Sequence, residues 1–318
     1  MTVIGTWNLE NLFRPGDLYG PKDEAAYAAK LKSLAGTVNR LAPDLLGLQE
    51  IGDPKALADL VDLLDGHWHT AWSRHHDGRG IFVGFLSRLP LHTVADTAEF
   101  AHHVPPVQLT DDGRTTGAMS RGALAVRVEP APGRTLQVAV CHLKSKLLTY
   151  PGNRHSPKDE GERARYAAYA LALRGAEAVT VRSLADELLA GDGRTHDVAV
   201  LGDLNDGPDA ATTQILHGPP GSQITADGSG GFDRPDKGDA ARLWNLAPLI
   251  PEKERFSRIH EGHPELIDHI LVSHSLLERV EEVSAGAGER LPSVSQQPAE
   301  RRDTPGSDHA PVLARLAY

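Results

Sequence analysis

Short apolar runs that end in a polar, chemically capable residue recur along this chain, and they constrain its fold more than any other feature. The stretch VAVLGDLND shows the pattern best. Val198, Ala199, Val200 and Leu201 make a run suited to a buried strand, yet it ends in Asp203, Asn205 and Asp206. The same arrangement returns at TWNLE (Asn8, Glu10), LLGLQE (Glu50), VAVCH (His142) and ELIDHILVS (Asp268). Arg121 precedes GALAVRV, and Asp308 and His309 precede APVLARL. Singly, each has an ordinary explanation. An Asp after a strand caps a turn, Asn205 fits an Asx-turn, and a lone His is satisfied by its neighbours. Together they point to strands that converge on one shared site.

Helical stretches alternate with these strands. Residues 23–41 carry apolar side chains at helical spacing, and Pro43 stops the pattern. PKALADLVDLL reads as a second helix. The longest helical pattern runs over about 160–190, with Gly175 as a possible break. A Gly-, Asp- and Pro-rich loop follows at 218–240. No repeat or low-complexity linker divides the chain, and the polar strand ends are spread from Asn8 to His309. One domain over residues 1–318 is therefore expected, with sheets packed face to face and helices outside.

Composition removes some function classes. The 318 residues are 40% apolar and 24% charged, ordinary for a globular protein with a large core. Lys and Arg number 33 against 43 Asp and Glu, a formal charge of −10, which argues against a tight, salt-robust nucleic-acid binder. An enzyme that must release its product tolerates that balance. The single cysteine, Cys141, excludes an internal disulfide and reads as a small hydrophobe within a strand. The N-terminus MTVIGTWNLENLF resembles no secretory signal, and no run approaches the ~20 apolar residues of a membrane helix. A cytoplasmic protein without a membrane association or an obligate protein partner is expected.

The polar set itself suggests chemistry. Glu and Asp oxygens aided by an Asn carbonyl suit a hard divalent cation, and His with Asp nearby suits attack by water on a phosphate. The pairs His67/His69, His75/His76 and His102/His103 match no trusted metal-ligand spacing. In order along the chain, the motifs TWNLEN, LLGLQE, SRGALAVRV, VCHLKS, GDLND, LIDHILVSHSLL and GSDHAPV span residues 6 to 313. In that order they resemble the endonuclease/exonuclease/phosphatase superfamily, which includes deoxyribonuclease I-like and exonuclease III-like enzymes.

The resemblance implies an α+β fold, a four-layer α/β/β/α sandwich with two mixed sheets face to face. It implies an Mg²⁺-dependent phosphodiester hydrolase, with Mn²⁺ able to substitute. Glu50 resembles the main metal ligand, with Asn8 and Asp308 close by. Asp203 resembles the residue that deprotonates the attacking water, and Asn205 the one that holds a phosphate oxygen. His309, oriented by Asp268, resembles the histidine at the scissile phosphate. Arg121 and His142 resemble residues that bind phosphate and assist the leaving group.

Some positions depart from the better-known members. PELIDHI lacks the Trp-Arg pair of abasic-site endonucleases and the Cys-Asp-Arg of inositol phosphatases, and no acidic partner for His142 is evident. A basic segment after His142 offers Lys144, Arg163 and Arg165 as a phosphate-gripping rim, with Asp159, Glu160 and Glu162 as compensating charges. The leading expectation is a nuclease acting on DNA. The alternative is hydrolysis of a small-molecule or lipid phosphate ester. A catalytically silent binding module is disfavoured, because Glu50, Asp203, Asp268 and His309 are all present.

Overall fold

The computed structural model describes residues 1–152, 154–217, 239–286, 291–295 and 298–318. The expected loop at 218–240 lies outside the described residues except for its last two. The chain opens with β1 (Thr2–Leu12), α1 (Glu24–Leu41), β2 (Leu45–Ile51), α2 (Pro54–Val61), β3 (His69–Trp72), β4 (Phe82–Ser87) and β5 (His92–Glu99). Two short strands, β6 (Val107–Gln108) and β7 (Thr115–Thr116), precede the long hairpin of β8 (Ala118–Ala131) and β9 (Arg134–His142). Next come α3 (Glu160–Leu189), β10 (Asp197–Asp203), α4 (Ala211–His217) and β11 (Leu243–Asn245). The last part holds β12 (Arg258–His260), β13 (His263–Glu265), β14 (Asp268–Ser273), α5 (His274–Leu277), β15 (Val280–Ala285), β16 (Ser293–Val294) and β17 (Val312–Leu316).

Local signals place the helices. The Asp23 carboxylate accepts the Ala26 N–H at 2.8 Å and caps α1; Ala42, left-handed at φ 45°, closes it before Pro43. α3 runs unbroken through Gly175. One glycine costs a helix about 1 kcal/mol, and the buried residues on either side, Leu173, Arg174, Ala176, Glu177 and Ala178, offset it.

Two mixed six-stranded sheets carry the fold, ordered β15-β17-β1-β2-β4-β3 and β11-β14-β10-β9-β8-β5. Alternate residues on each strand point to opposite faces, and here both faces are covered. Ile4, Leu45 and Phe85 from the first sheet meet Val138, Val140, Leu201 and Ile270 from the second. The other face of the first sheet packs Leu9, Leu46 and Leu48 against Leu31, Leu34 and Leu57 of α1 and α2. The other face of the second packs Cys141, Val198 and Val200 against Val181, Leu184 and Leu188 of α3. The result is an α/β/β/α sandwich. Double coverage explains why the strands read as continuous apolar runs, and each buried Val, Leu or Ile contributes about 1.5–3 kcal/mol. The sheets meet closely at Gly47, where a Cβ would lie 2.1 Å from Leu201 Cδ1.

Candidate active site

The site is the polar last rung of the core between the sheets. β10 pairs in parallel with β9 and antiparallel with β14, and the register sets Asp203 beside His142 on one side and Asp268 on the other. Two residues back in the same ladder stand Leu201, Val140 and Ile270, all in the inter-sheet core. The pleat therefore aims His142, Asp203 and Asp268 into the space between the sheets. Gly202 lets this rung form. Its φ is +148°, and a Cβ there would lie 2.0 Å from the Cys141 carbonyl oxygen.

The first sheet supplies the facing groups. Asn8 on β1 donates Nδ2 to Asp203 Oδ2 at 3.0 Å, while its Oδ1 accepts the Glu10 N–H at 3.0 Å. Register shifts at the ends of β1 and β2 coincide with left-handed backbone at Glu10, Asn11 and Glu50, φ 50°, 55° and 61°. Such bulges re-aim side chains at a sheet rim, at about 1–3 kcal/mol of strain for each unusual residue. The loop before β17 is pinned to β1. Trp7 Nε1 donates to the His309 carbonyl at 2.9 Å, Ser307 Oγ to the Asn8 carbonyl at 2.6 Å, and Asp308 N to Glu10 Oε2 at 2.9 Å.

His309 Nδ1 lies 2.7 Å from Asp268 Oδ2, so that nitrogen carries the proton and Nε2 faces Asp203 Oδ2 at 3.9 Å. Burial alone would depress the imidazole, but the carboxylates of Asp268, Asp308 and Asp203 outweigh it and raise its pKa to about 10. Burial and the neighbouring Asp268 raise Asp203 to about 7. Burial first, and then Arg121 and Arg79, hold His142 well below the usual histidine value. His142 Nε2 is 3.5 Å from Asp203 Oδ2, and its buried Nδ1 has no hydrogen-bond partner among the described residues.

A cleft of about 490 Å³ joins these groups; Asn8, Glu10, Glu50, Arg121, His142, Asp203, Asn205, Asp308 and His309 all line it. Asp268 lies behind His309 and is fully buried. Asn205, left-handed at φ 53°, donates its backbone N–H to Asp203 Oδ1 and its Nδ2 to the Leu143 carbonyl at 2.9 Å. The Asx-turn is thus made by the Asp203 carboxylate, while the Asn205 amide bonds Leu143 and lines the cleft. Arg121 donates to Asp77 Oδ2 at 3.2 Å and to the same Leu143 carbonyl at 3.3 Å.

The basic segment divides. Arg163 lines the cleft mouth while paired with Glu160. Lys144 turns its ammonium onto the carbonyls of Ser145 and Leu147, both at 2.9 Å, and lines a neighbouring cavity instead. Arg165 pairs with Asp111 at 3.0 Å and does not line the cleft. Of the expected rim, Arg163 thus lines the cleft, whereas Lys144 and Arg165 are held by other acceptors outside its lining. Asp206, just past the polar end of β10, anchors Arg174 at 3.0 Å, Thr212 at 2.6 Å and Lys146 at 3.3 Å.

Several cleft residues escaped the sequence reading. Arg79 and Arg258 line the cleft, as does Arg301, which clasps Glu10 with contacts of 2.6 and 2.8 Å. Asp77 sits behind Arg121. No motif marks these positions, although Asp77-Gly78-Arg79-Gly80 is a recognisable turn.

Two groups of side chains could hold a cation. Asp203, Asp268 and His309 present ligand atoms all within 4.8 Å of one another. Glu50, Asp308 and Asn8 line the same cleft and offer oxygens, the donor type a hard divalent ion takes, although Asn8 Oδ1 also accepts the Glu10 N–H. Glu50 Oε1 has Arg79 only at 3.9 Å, and the nearest cation to Asp308 Oδ2 is Arg258 at 3.6 Å, which leaves these oxygens free of short ion pairs. The donor set fits a divalent metal.

The sequence profile of the Endonuclease/Exonuclease/phosphatase family matches residues 5–309, and the chain belongs to that family. Its members are phosphoesterases and nucleases, typically dependent on a divalent metal, and this chain is an enzyme acting on phosphate ester bonds. Solved structures agree in fold. Truncated TDP2 from Caenorhabditis elegans shares 16% identity and a TM-score of 0.57, over 99% of this chain and 98% of that one. A mannosyl-6-phosphatase from Bacteroides thetaiotaomicron shares 15% identity and a TM-score of 0.57 over the whole of both chains. A family protein from Leptotrichia buccalis shares 14% identity and a TM-score of 0.55, also over the whole of both. No curated protein sequence matches the chain. No helix among the described residues is long and apolar enough to cross a membrane.

Proposed function

We propose that this enzyme hydrolyses a compact phosphate ester with the aid of a divalent cation, Mg²⁺ or Mn²⁺, held by Glu50 with Asp308 and Asn8. The observation that carries the reading is the convergence in one walled cleft of these oxygens, the His309–Asp268 pair and Asp203. The cation would neutralise charge that grows on the phosphoryl oxygens. Asp203, poised near neutral pH by burial, takes the proton of the attacking water. His309 turns Nε2 toward the phosphate and offsets its charge, oriented from behind by Asp268. Asn205 and Arg121 present N–H groups to the phosphate from the opposite wall. Neutral His142 lies beside Asp203, where its ring can serve the leaving group.

Two features favour a compact ester over a long polyanion. The cleft is lined by Leu147, Leu148, Tyr150 and Pro157 as well as by Ser293, Val294 and Glu300, beyond the catalytic groups themselves. Most of its cations are also already engaged with carboxylates: Arg79 and Arg121 with Asp77, Lys146 with Asp206, Arg163 with Glu160 and Arg301 with Glu10. Cleavage of DNA is the second reading, favoured by the exposed side chains of Lys146 and Arg163 at the mouth, 53% and 48% accessible. The test is a panel in Mg²⁺ or Mn²⁺: p-nitrophenyl phosphate, bis-p-nitrophenyl phosphate, plasmid DNA, single-stranded DNA and RNA. The compact-ester reading expects turnover of the nitrophenyl esters and little cleavage of the polymers; the opposite pattern assigns a nuclease. Asp203→Ala should abolish the activity, and full activity in that variant would overturn the mechanism.

A further inference from the structure

α3 packs one face on the second sheet and, besides Glu162 in its first turn, buries two charges three residues apart. Arg174 is 6% exposed and Glu177 fully buried, and neither lines the cleft. Buried charges are costly unless every polar atom is matched, so their partners are informative. Glu177 Oε1 accepts the Ser120 N–H at 2.7 Å, and Oε2 accepts the Lys144 N–H at 2.5 Å. Arg174 donates Nη1 to the Lys144 carbonyl at 3.0 Å and Nε to Asp206 Oδ2 at 3.0 Å. The two side chains thus grip both polar groups of Lys144, the backbone just before Arg121 and the residue just after Asn205.

The geometry of one peptide gives this grip a consequence. The Lys144 N–H and the Leu143 C=O belong to the same planar, trans unit, so fixing the direction of one fixes the other. The Leu143 carbonyl accepts from both Arg121 Nη1 and Asn205 Nδ2. We propose that Glu177, braced by Arg174, is a positioning residue: it sets the plane of the Leu143–Lys144 peptide and through it aims Arg121 and Asn205 at the phosphate. The proposal rests on the function assigned above for those two side chains. Glu177 does not touch substrate, and its effect passes through a single carbonyl that joins two strands' ends.

Glu177→Gln tests this with little change of volume. Its amide NH₂ cannot accept, so one of the two backbone N–H groups loses its partner. The expected result is a fall in kcat of about 10- to 100-fold, the range for loss of an outer-shell partner, with KM for bis-p-nitrophenyl phosphate changed far less. Combining it with Asn205→Ala should cost less than the sum of the two single losses, because the part of the Glu177 effect that passes through Asn205 is already gone. Additive losses, or a lower melting temperature with unchanged kcat, would overturn the proposal. Arg174→Lys, which keeps the charge and loses the forked geometry, should give a smaller fall of the same kind. A crystal structure of Glu177→Gln supplies a readout independent of catalysis. A turned Leu143–Lys144 peptide with Arg121 and Asn205 displaced is expected, and an unmoved peptide refutes the positioning role. If Asn205→Ala and Arg121→Ala each leave the rate unchanged while that peptide has turned, the assigned function fails and the positioning geometry stands.

Discussion

His142 and Asp203 end two parallel neighbouring strands in exact register, with His142 Nε2 3.5 Å from Asp203 Oδ2. Asp268 faces Asp203 from the other side in the same register. One cross-sheet row therefore holds three of the five proposed catalytic side chains, and backbone hydrogen bonds rather than loop conformations fix their spacing. The fourth and fifth, Asn205 and His309, come from loops tied to that row through Asp203 Oδ1 and Asp268 Oδ2.

The dyad makes a direct prediction. Asp268→Asn keeps a hydrogen-bond acceptor for His309 Nδ1 and removes the charge that favours the protonated ring. Activity should fall at least ~100-fold, with the far-ultraviolet circular dichroism unchanged. The variant should also release the proton of His309 at lower pH, which NMR titration of the ring would detect.

Metal dependence is tested through binding as well as rate. Chelation should abolish hydrolysis, and Mg²⁺ or Mn²⁺ should restore it. A ligand held only by the native state raises the melting temperature by mass action. Mg²⁺ should therefore stabilise the protein, and Glu50→Gln should remove that shift. If Asp203, Asp268 and His309 form the site instead, Glu50→Gln would keep the full shift.

Much of this arrangement was legible in the residues. The strands that carry the site are covered on both faces, so β1, β2, β9, β10 and β14 stand out as apolar runs with polar ends. β3, β5 and β15 sit at or next to sheet edges and are largely half-exposed, and their composition hardly differs from that of loops. The site follows the same division. Asn8, Glu50, His142, Asp203, Asp268 and His309 end buried strands or flank them. Arg79, Arg258 and Arg301 line the cleft, and Asp77 pairs with Arg121 behind it, through long-range contacts that no local pattern encodes. Glu177 and Arg174 were hidden for another reason: inside a helical pattern, a charged residue reads as solvent-facing.

Lys144 gives a pH-dependent stability. Burial, with Arg121 and Arg174 nearby, lowers its pKa to about 8, while Glu177 opposes the shift. Below about pH 8 both folded and unfolded chains hold the proton, and the cost of partly desolvating the charge is fully present. Between about 8 and the unfolded value of ~10.4 the unfolded chain binds more protons, so stability rises with pH. Lys144→Met should be more stable than the parent at pH 7, and its advantage should shrink across that window. Urea unfolding at pH 7, 8, 9 and 10 measures both effects.

Close packing between the sheets predicts that two glycines differ in tolerance. At Gly47 an added methyl meets the end of the Leu201 side chain at 2.1 Å, which can shift, so Gly47→Ala should cost about 1–3 kcal/mol. At Gly202 the methyl meets the Cys141 backbone at 2.0 Å, and φ is +148°. Gly202→Ala should therefore cost more than Gly47→Ala and also reduce activity, since His142 and Asp203 flank the contact. Equal unfolding midpoints for the two variants would contradict this.

The divided basic segment predicts which cations matter to substrate. Arg163 lines the cleft with its side chain 48% accessible, whereas Arg165 is held by Asp111 away from it. Arg163→Glu places a carboxylate beside Glu160 at the mouth and should raise KM for an anionic ester several-fold, most strongly at low ionic strength because exposed charges are screened by salt. Arg165→Glu breaks the pair with Asp111 but leaves the mouth intact, so KM should stay within about twofold. Measuring both variants at 20 and 300 mM salt (on the order of 20 Å and 6 Å of screening length) separates a local role from a general field. If the whole segment steers substrate as one basic patch, the two reversals will raise KM equally and lose their effect together as salt increases.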